Sequence, residues 1–588
     1  MSKTVSVMDI ECYPNYFLVA LMDVETGGKY YVELTPGKPP LRGFLPDHNH
    51  TFVTFNGINY DFPMLSLALG GANNSELKLL SDDIIVRGLK RWEVVGGVDL
   101  SRVDHIDIME VTPGKLGLKM YGGRLHTKRM QDLPFDPSKD LSQTEQDIVR
   151  EYCFNDLEIT LELYQRLKPQ LELRERLSLE CGVDLRSKSD AQVGETIIKR
   201  GVESIKNQPV YRPDTNIPNA KFYYSPPPWM DFKTQGMRDV LRIFATATFG
   251  VTESGAIDSP GIIESACVRI GGGEYKLGIG GIHSMEKRIC HIADGNVGIY
   301  DRDVVSYYPS IILNQGLYPS QLGPEFLEVY GGIVKRRVGA KKSGDEVLAR
   351  DLKTPINGPF GKFGSMWSCL YAPHLMIQVT LTGQLALLML IEMLEGCGLK
   401  VVSANTDGIV IKAPVKKKGL LDSIIKMWEM CTGFETEETE YASLHIKDVN
   451  NYIAVKPGGK TKVKGIYDSG SLSINPTTSV CTEAVIRFLT GGVPIELSVM
   501  AETDVRKFVS IRSVKGGAVY GSDFLGKAVR WYYAVGEKGH LTYKLNGNKV
   551  PKTDGARPMM TLADTLPSDI DYQWYIDEAR SILEDIGG

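Results

Sequence analysis

The chain has 588 residues, of which 43% are hydrophobic and 24% are charged, and its formal net charge is -5. This length predicts several domains rather than one. The slightly acidic balance excludes a uniformly basic surface, so any binding of nucleic acid would use local basic patches. The nine cysteines form no Cys-x-x-Cys pair, which argues against a zinc module and fits a reducing compartment.

The sequence contains no stretch typical of export or membrane insertion. Its first residues lead directly into a strand-like run and lack the apolar stretch of a signal peptide. The longest apolar segment, residues 375–394, is interrupted by polar residues and favours a buried helix over a membrane span. We therefore expect a cytoplasmic protein with no membrane partner.

The hydrophobic pattern predicts a mixed α/β region over about the first third of the chain. Residues 5–10, 51–55 and 102–108 alternate like strands, and residues 144–167 have the period of a helix. A proline-rich segment follows at residues 207–229 and is typical of a connector, because proline fixes φ and removes a backbone donor.

Two carboxylates, Asp9 and Glu11, lie at the end of the first predicted strand. Residues i and i+2 of a strand point to the same face, so both side chains reach one site. Hydrolysis of a phosphodiester commonly uses two divalent ions, for which oxygen ligands such as these are suited. By itself an Asp-x-Glu pair is also typical of solvated surface acids.

Two later segments add polar side chains in a set order. Residues 55–61 contain Asn56 and Asp61, and a predicted helix carries Tyr152 and Asp156 at positions i and i+4 of one face. By itself, the spacing of Tyr152 and Asp156 is also typical of an ordinary amphipathic helix. In this order the three segments resemble the DEDDy 3′–5′ exonuclease domains of proofreading polymerases.

The resemblance to these exonucleases implies a ribonuclease H-like domain that degrades single-stranded primer ends. It implies that Tyr152 orients the attacking water and that Asn56 contacts the primer end. The metal ligands that it implies are Asp9, Glu11, Asp61 and Asp156.

A second pair of aspartates lies on predicted strands in the middle of the chain. Residues 298–305 form a strand with Asp303, and residues 400–411 form a hairpin whose tip carries Asp407. The tip can present Asp407 beside the end of the strand that bears Asp303. Nucleotidyl transfer uses such a pair to hold two metal ions, although an Asp-Gly turn alone is most often only a hairpin.

Basic residues lie between these two aspartates. A helix bearing Lys353, with Arg336 or Arg337 as its partner, would supply the fixed cations that a triphosphate needs. The basic run alone is equally typical of a solvated helical face.

Together the segments around Asp303, Lys353 and Asp407 resemble the motifs of family B (alpha-like) DNA polymerases, and most of all the short bacteriophage members. The resemblance covers nearly the whole chain. It implies an α/β and α+β multidomain fold with a right-hand palm, fingers and thumb beside the exonuclease. The implied regions are the exonuclease at 1–175, a connecting region at 176–290, the palm at 291–325 and 365–465, the fingers at 326–364, and the thumb and C-terminal region at 466–588.

For the polymerase site, the resemblance implies that Asp303 and Asp407 hold the metal ions together with the backbone of Val304. Each active site would use two Mg²⁺ or Mn²⁺ ions. Tyr308 would be the steric gate that clashes with a ribose 2′-hydroxyl. The implied nucleotide-binding residues are Lys353, Arg337, Arg336, Asn357, Tyr308, Ser306 and Val304.

The sequence departs from the common family pattern at four positions, Tyr307, Gly358, Phe360 and Asn405. Asn405 matters most, because it removes a carboxylate near the metal ions. The indispensable acid of that motif, Asp407, is present. We therefore expect synthetic activity.

Several residues are predicted to bind DNA. Lysines on residues 460–465 share one face of a predicted strand and could line a phosphate backbone, although an exposed hairpin with solubilising lysines fits the spacing equally well. Residues 530–533 could stack on bases, but we favour core packing for them. By resemblance to DNA-contacting elements of these polymerases, the implied DNA-binding set is Asn56, Lys464 (the foremost lysine candidate), Lys462, Tyr275, Gly280 and Gly281.

The resemblance implies a monomeric, template-directed DNA polymerase with a proofreading exonuclease that acts in phage DNA replication, in the host cytoplasm if the chain is phage-encoded. Its ligands would be primer–template DNA and dNTPs. The intervals between the motifs are short: they leave room for two antiparallel fingers helices and for no DNA-encircling insertion. We therefore expect a nucleic-acid primer and help from a clamp, a helicase or a single-strand-binding protein. The alternatives are an exonuclease on a polymerase-like scaffold that does not synthesise DNA, and a non-catalytic DNA-binding protein.

Overall fold

The computed structural model describes residues 3–41, 50–214 and 221–588, apart from the side chain of residue 351. These residues form two compact units. Unit 1 comprises Met1–Ser189, Ser469–Cys481 and Glu496–Asp577, and unit 2 comprises Asp190–Asp468, Thr482–Ile495 and Glu578–Gly588. The predicted mixed α/β multidomain fold class is confirmed. Residues 215–220 of the predicted proline-rich connector lie outside the described residues.

The described helices are α1 (Asp61–Leu69), α2 (Asn74–Ile85), α3 (Leu118–Arg124), α4 (Gln143–Cys181), α5 (Asp190–Lys206), α6 (Gln235–Thr246), α7 (Gly261–Glu264), α8 (Tyr307–Asn314), α9 (Glu325–Ser343), α10 (Glu346–Asp351), α11 (Lys353–Lys362), α12 (Pro373–Gly396), α13 (Lys418–Thr432), α14 (Ser479–Gly491), α15 (Ile495–Met500) and α16 (Tyr572–Asp585).

The described strands are β1 (Thr4–Tyr13), β2 (Tyr16–Asp23), β3 (Lys29–Leu34), β4 (His50–Thr54), β5 (Asp104–Asp107), β6 (Phe222–Tyr223), β7 (Thr248–Val251), β8 (Ile257–Asp258), β9 (Cys267–Ile270), β10 (Gly273–Lys276), β11 (His283–Ser284), β12 (Ile289–Ile292), β13 (Val297–Val304), β14 (Lys400–Ala404), β15 (Gly408–Pro414), β16 (Thr436–Tyr441), β17 (Ser443–Asp448), β18 (Asn451–Val455), β19 (Thr461–Lys464), β20 (Ser510–Tyr520), β21 (Asp523–Tyr533), β22 (Thr542–Tyr543) and β23 (Ala556–Pro558).

Unit 1 contains a five-stranded sheet of order β3-β2-β1-β4-β5. Because side chains alternate along a strand, β1 buries apolar residues on both faces. Met8 and Ile10 pack with Met64 of α1, whereas Val7 packs with Val149 and other residues of α4. Asp9 and Glu11 have the same parity as Val7, so both acids lie on the face of the sheet that α4 covers.

The C-terminal part of unit 1 is a sheet of order β22-β20-β21-β23. Its Arg530 is fully buried and donates hydrogen bonds to backbone carbonyls of Thr127, Lys128, Met559 and Met560. Residues 531–533 of the same strand are 3–6% exposed. The preference for core packing at residues 530–533 is therefore confirmed.

Unit 2 is organised around the apolar helix α12, which packs against α8 and α13. This helix is long and apolar enough to cross a membrane, but 83% of its most apolar window is buried inside the structure. Two four-stranded sheets belong to this unit, with orders β14-β15-β13-β16 and β12-β17-β18-β19. The predicted strand, hairpin and buried helix in this part of the chain are confirmed.

The intervals between the predicted polymerase motifs are helical. The first interval holds α9 and the short α10 ahead of α11, which begins at Lys353. The second interval, from Lys362 to Asn405, consists mostly of α12. The finer domain boundaries at 175, 290 and 465 remain predictions.

Candidate active sites

The first group of acids, here called the N-terminal acidic site, consists of Asp9, Glu11, Asp61 and Asp156. Strand β1 carries the first two, α1 begins at Asp61, and α4 supplies Asp156. Asp61 and Asp156 are 3% and 5% exposed. One potential ligand atom from each of Asp9, Glu11 and Cys153 lies within 4.8 Å of the others. The structure therefore brings together acids that are far apart in the sequence.

Burial raises the pKa of each of these acids, and the charges of neighbouring acids add to the rise at Asp9, Glu11 and Asp61. Burial raises the pKa of Asp9, the charge of Asp156 raises it further, and Lys119 lowers it. Burial followed by the charges of Asp9 and Asp156 raises the pKa of Glu11, and burial followed by Asp9 raises that of Asp61. A buried cluster of carboxylates is more stable when it binds protons or cations than when all of its members are ionised and unneutralised.

Lys119 of α3 is a functional candidate that the sequence reasoning missed. Its ammonium forms an ion pair with Asp156 and lies 4.1 Å from the ring centroid of Tyr152. No spacing in the sequence links this lysine to Tyr152 and Asp156, so only the tertiary contact reveals it. Lys119 supplies a fixed positive charge inside the N-terminal acidic site.

The loop that carries Asn56 is held by another buried acid. Asp107 is 1% exposed and accepts hydrogen bonds from the backbone amides of Asn56 at 2.9 Å and Ile58 at 3.0 Å. Asn56 has a φ of 69°, a left-handed conformation that asparagine tolerates better than most residues. Asp107 lies within the predicted strand at 102–108, but its role depends on a contact that the strand pattern does not contain.

The donor set of this site suits a hard divalent cation. All four side chains offer carboxylate oxygens. The Oδ1 atom of Asp61 is buried and has no hydrogen-bond partner among the described residues. Cys153 also lies here, and its thiol donates to Oδ2 of Asp9 at 3.6 Å. The residues present therefore fit the predicted metal ions.

The second group, here called the hairpin site, consists of Asp303, Asp407 and the cavity beside them. Asp303 on β13 is paired in register with Gly408, and the backbone amide of Val304 donates to the Asp407 carbonyl at 2.8 Å. A Cβ atom at position 408 would lie 2.4 Å from Oδ1 of Asp303, so only glycine allows this approach. Burial and the charge of Asp303 raise the pKa of Asp407.

A cavity of about 250 Å³ opens at this hairpin. It contains most of the predicted nucleotide-binding residues, on segments that are far apart in the sequence. Its lining consists of Val304, Ser306, Tyr307, Tyr308, Pro309, Arg337, Lys353, Asn357, Thr406 and Asp407.

Arg337 is oriented into the cavity by two contacts. Its guanidinium donates to the hydroxyl of Ser306 and to the carbonyl of Ala349, each at 3.2 Å. Lys353 lies at the first residue of α11 and lines the same cavity. The neighbouring Arg336 is exposed. Of the two arginines predicted to bind the triphosphate, Arg337 is the one found among the described residues that line the cavity.

Tyr308 lies beside Asp407 and against an aromatic neighbour. Its ring centroid is 4.3 Å from that of Phe360, and burial together with the charge of Asp407 raises its pKa to about 12. The preceding Tyr307 is 4% exposed and donates to the carbonyl of Gly383 at 2.6 Å. Tyr307 is thus a core residue with a satisfied hydroxyl.

Two of the departures from the family pattern have local explanations. A Cβ atom at position 358 would lie 2.9 Å from Cα of Ala191, so glycine allows α11 to pack closely on α5. Oδ1 of Asn405 accepts hydrogen bonds from the backbone amides of Asp407 and Gly408. Asn405 therefore closes the hairpin turn.

The two predicted DNA-binding lysines of β19 lie in different surroundings. Lys464 is exposed; burial raises the pKa of Asp303 and Asp407, and the charge of Lys464 offsets part of that rise. The ammonium of Lys462 instead contacts Asp301 at 3.0 Å and Asp303 at 3.3 Å. Asp301 is 4% exposed and was not among the predicted site residues.

The remaining predicted DNA contacts lie on β10 and the loop after it. Tyr275 is 1% exposed and packs in the core of unit 2, so its ring lies away from the surface. Gly280 and Gly281 line a separate surface pocket. Gly281 has a φ of 124°, and a Cβ atom there would lie 2.6 Å from Oγ1 of Thr406.

Comparisons with known proteins give a partial similarity. No family model matches the chain. Over 123 residues the chain is 32% identical to "DNA polymerase 1" of Sulfurisphaera ohwakuensis and 31% identical to "DNA polymerase 1" of Sulfolobus acidocaldarius. The match covers 21% of this chain and only 14% of each relative.

Among solved structures, the family B DNA polymerase from the hyperthermophilic archaeon Pyrobaculum calidifontis aligns with 99% of this chain and 78% of its own. That alignment has 14% sequence identity and a TM-score of 0.40.

Proposed function

We propose that this chain is a template-directed DNA polymerase of the family B type that also carries a 3′→5′ proofreading exonuclease. One observation carries the proposal: Asp407 shares a cavity with Arg337, Lys353 and Asn357, which come from two separate helices. The similarity to two DNA polymerases over 123 residues supports the same function.

Synthesis would take place at the hairpin site. Asp303 and Asp407 would hold two Mg²⁺ or Mn²⁺ ions, which when bound activate the primer 3′-hydroxyl and neutralise the leaving pyrophosphate. Arg337 and Lys353 are cationic side chains of the cavity and would bind the triphosphate of a dNTP. Tyr308 lies next to Asp407 and would exclude a ribose 2′-hydroxyl from the space under the sugar.

Proofreading would take place at the N-terminal acidic site. Asp9, Glu11, Asp61 and Asp156 would hold the ions for phosphodiester hydrolysis, Tyr152 would orient the water, and Asn56 would contact the unpaired primer end. A mismatched primer end separates from the template at low cost, which favours its degradation. Lys119 would favour the ionised form of Asp9, Glu11 and Asp156 and so oppose part of their tendency to hold protons before the ions bind.

The wider setting is also a proposal. We infer a role in phage DNA replication in the host cytoplasm, by a monomer that extends nucleic-acid primers on a DNA template. The interval from Lys362 to Asn405, mostly α12, supports a need for a helicase, clamp or single-strand-binding partner. Unaided strand displacement over long primed circles by the pure protein would contradict this part.

A primer-extension assay with Mg²⁺, run with and without dNTPs, tests the function directly. Asp9→Ala is expected to lose degradation and keep extension, and Asp407→Ala is expected to do the reverse. Degradation without extension in the unmodified protein would leave an exonuclease on a polymerase-like scaffold. Absence of both activities would favour a non-catalytic DNA-binding protein.

A further inference from the structure

A buried acid lies beside the hairpin site and has no part in the function proposed above. Asp301 precedes Asp303 by two residues on β13, so the two carboxylates share one face of the sheet. Asp301 is 4% exposed and accepts a hydrogen bond from the hydroxyl of Tyr441, which is 1% exposed on the neighbouring strand β16. A buried carboxylate needs a cationic or hydrogen-bonding partner.

Lys462 is that cationic partner, and Asp301 shares it with Asp303. Its Nζ atom lies 3.0 Å from Oδ2 of Asp301 and 3.3 Å from Oδ2 of Asp303. An ammonium has three donors, so it can contact both acids at once. The two acids differ in exposure, since the side chain of Asp301 is 6% exposed and that of Asp303 is 43% exposed.

This difference determines where the ammonium is held. Opposite charges attract more strongly where water is excluded, so the buried Asp301 together with Tyr441 anchors Lys462. Asp303 faces water and can exchange the ammonium for another cation. Without the charge of Asp301, Asp303 would be the one carboxylate left in contact with Lys462 among the described residues, and the ammonium would compete with a metal ion for it.

We propose that Asp301 is a positioning residue that holds Lys462 and thereby leaves Asp303 free to bind a divalent cation. The inference rests on the proposed function in one respect, the use of Asp303 and Asp407 as metal ligands. In this arrangement the ammonium of Lys462 is held by Asp301, whereas Lys464 is the exposed lysine of β19.

Direct measurement of Mn²⁺ binding tests this inference without any assay of synthesis. The full chain with Asp9→Ala and Glu11→Ala, which disable the N-terminal acidic site, is titrated with Mn²⁺ and the free ion is followed by electron paramagnetic resonance. Asp407→Ala in this background identifies the signal of the hairpin site by its loss. Asp301→Asn, which keeps an acceptor for Tyr441 but removes the charge, is expected to weaken this binding by about tenfold.

A second substitution separates positioning from mere structure. With Lys462→Met added to Asp301→Asn, the competing ammonium is gone, and Mn²⁺ affinity is expected to return to at least the starting value. A folded Asp301→Asn protein with unchanged Mn²⁺ affinity would overturn the inference, as would a double variant no better than the single one. If Asp301→Asn does not fold, Lys462→Met alone decides. Unchanged or tighter Mn²⁺ binding supports the inference, because Asp301 already keeps the ammonium from occupying Asp303, and weaker binding overturns it.

The exonuclease gives an internal control in the chain without the background substitutions. Asp301→Asn is expected to raise the Mg²⁺ concentration for half-maximal primer extension and to leave that for degradation unchanged. A chain that binds Mn²⁺ as expected but never extends a primer would refute the proposed function and support the inference. A chain that extends primers with a Mg²⁺ requirement insensitive to Asp301→Asn would refute the inference alone.

Discussion

The side-chain oxygen of Asn405 accepts a hydrogen bond from the backbone amide of Asp407 at 3.1 Å. A second one comes from the amide of Gly408 at 2.8 Å. Side chains of Asn and Asp form such local turns equally well. The residue that departs from the family pattern is therefore the one that shapes the turn carrying Asp407.

This contact predicts different outcomes for two substitutions at position 405. Asn405→Asp keeps the acceptor, so synthesis is expected to continue. Asn405→Ala leaves two amides without their partner, at a cost of about 1 kcal/mol, and is expected to slow synthesis severalfold. Primer-extension rates check this, with degradation as the control. Equal rates for Asn405→Ala and the unmodified protein would contradict it.

The second prediction concerns the choice of sugar. Tyr308→Ala opens the space beside Phe360 and Asp407 and is expected to raise ribonucleotide incorporation relative to deoxyribonucleotide by about 10- to 100-fold. Tyr308→Phe keeps the ring and is the matched control. Competition between the two nucleotides in primer extension measures the ratio, and an unchanged ratio in Tyr308→Ala would refute the steric-gate role.

The third prediction concerns Lys119. Its charge lowers the pKa of Asp9, Glu11 and Asp156. Lys119→Met is therefore expected to move the acid limb of the pH profile of degradation upward by about one unit. Lys119→Arg should stay near the original profile, and synthesis should be unaffected. Superimposable profiles for Met and Lys at this position would show that the ammonium has no electrostatic role.

The fourth prediction concerns stability without metal ions. Burial and Asp156 raise the pKa of Asp9 from 3.8 to about 7 in the folded protein. Between these values the folded protein keeps a proton that the unfolded chain has released, so this group's contribution to the free energy of unfolding falls as the pH rises. Above about pH 7 in the presence of a chelator, Asp9→Asn should therefore unfold at a higher temperature than the unmodified protein.

That stability difference is expected to depend on pH and on divalent cations. At about pH 3, which lies below both pKa values, the two proteins should unfold at nearly the same temperature, since Asp9 is then largely protonated in both folded and unfolded chains. Added Mn²⁺ should stabilise the unmodified protein more than Asp9→Asn, because it binds the folded site. Thermal unfolding followed by circular dichroism checks this, and a gap that stays constant with pH would contradict it.

Local sequence patterns were sufficient for most of the strands and helices that carry the acids, but they did not predict α1, which begins at Asp61. The alternation at residues 5–10 and the hairpin at 400–411 predicted β1, β14 and β15, because burial on alternate positions leaves a period in the sequence. The order of the acidic motifs then identified Asp9, Asp61, Asp303 and Asp407. These site assignments remain predictions for experiment.

Residues whose role depends on a distant partner could not be predicted. No recognisable sequence motif contains Lys119, Asp107 or Asp301. Each became a candidate only through its contacts with residues on other elements. Helix α4 extends to Cys181, beyond the predicted end at residue 167, because apolar side chains such as Leu171 and Leu177 continue its buried face.

The discontinuity of unit 1 has a consequence for how the protein is made. The backbone carbonyls of Thr127 and Lys128 accept hydrogen bonds from Arg530. Arg530 is synthesised about four hundred residues after them and leaves the ribosome correspondingly later. The first segment must therefore persist through most of translation with those carbonyls and the surface around Met130 uncovered. Long-range closure of this kind is slow and open to misassembly. A nascent chain halted before Arg530 should accordingly be cleaved by proteases at sites that the finished protein protects.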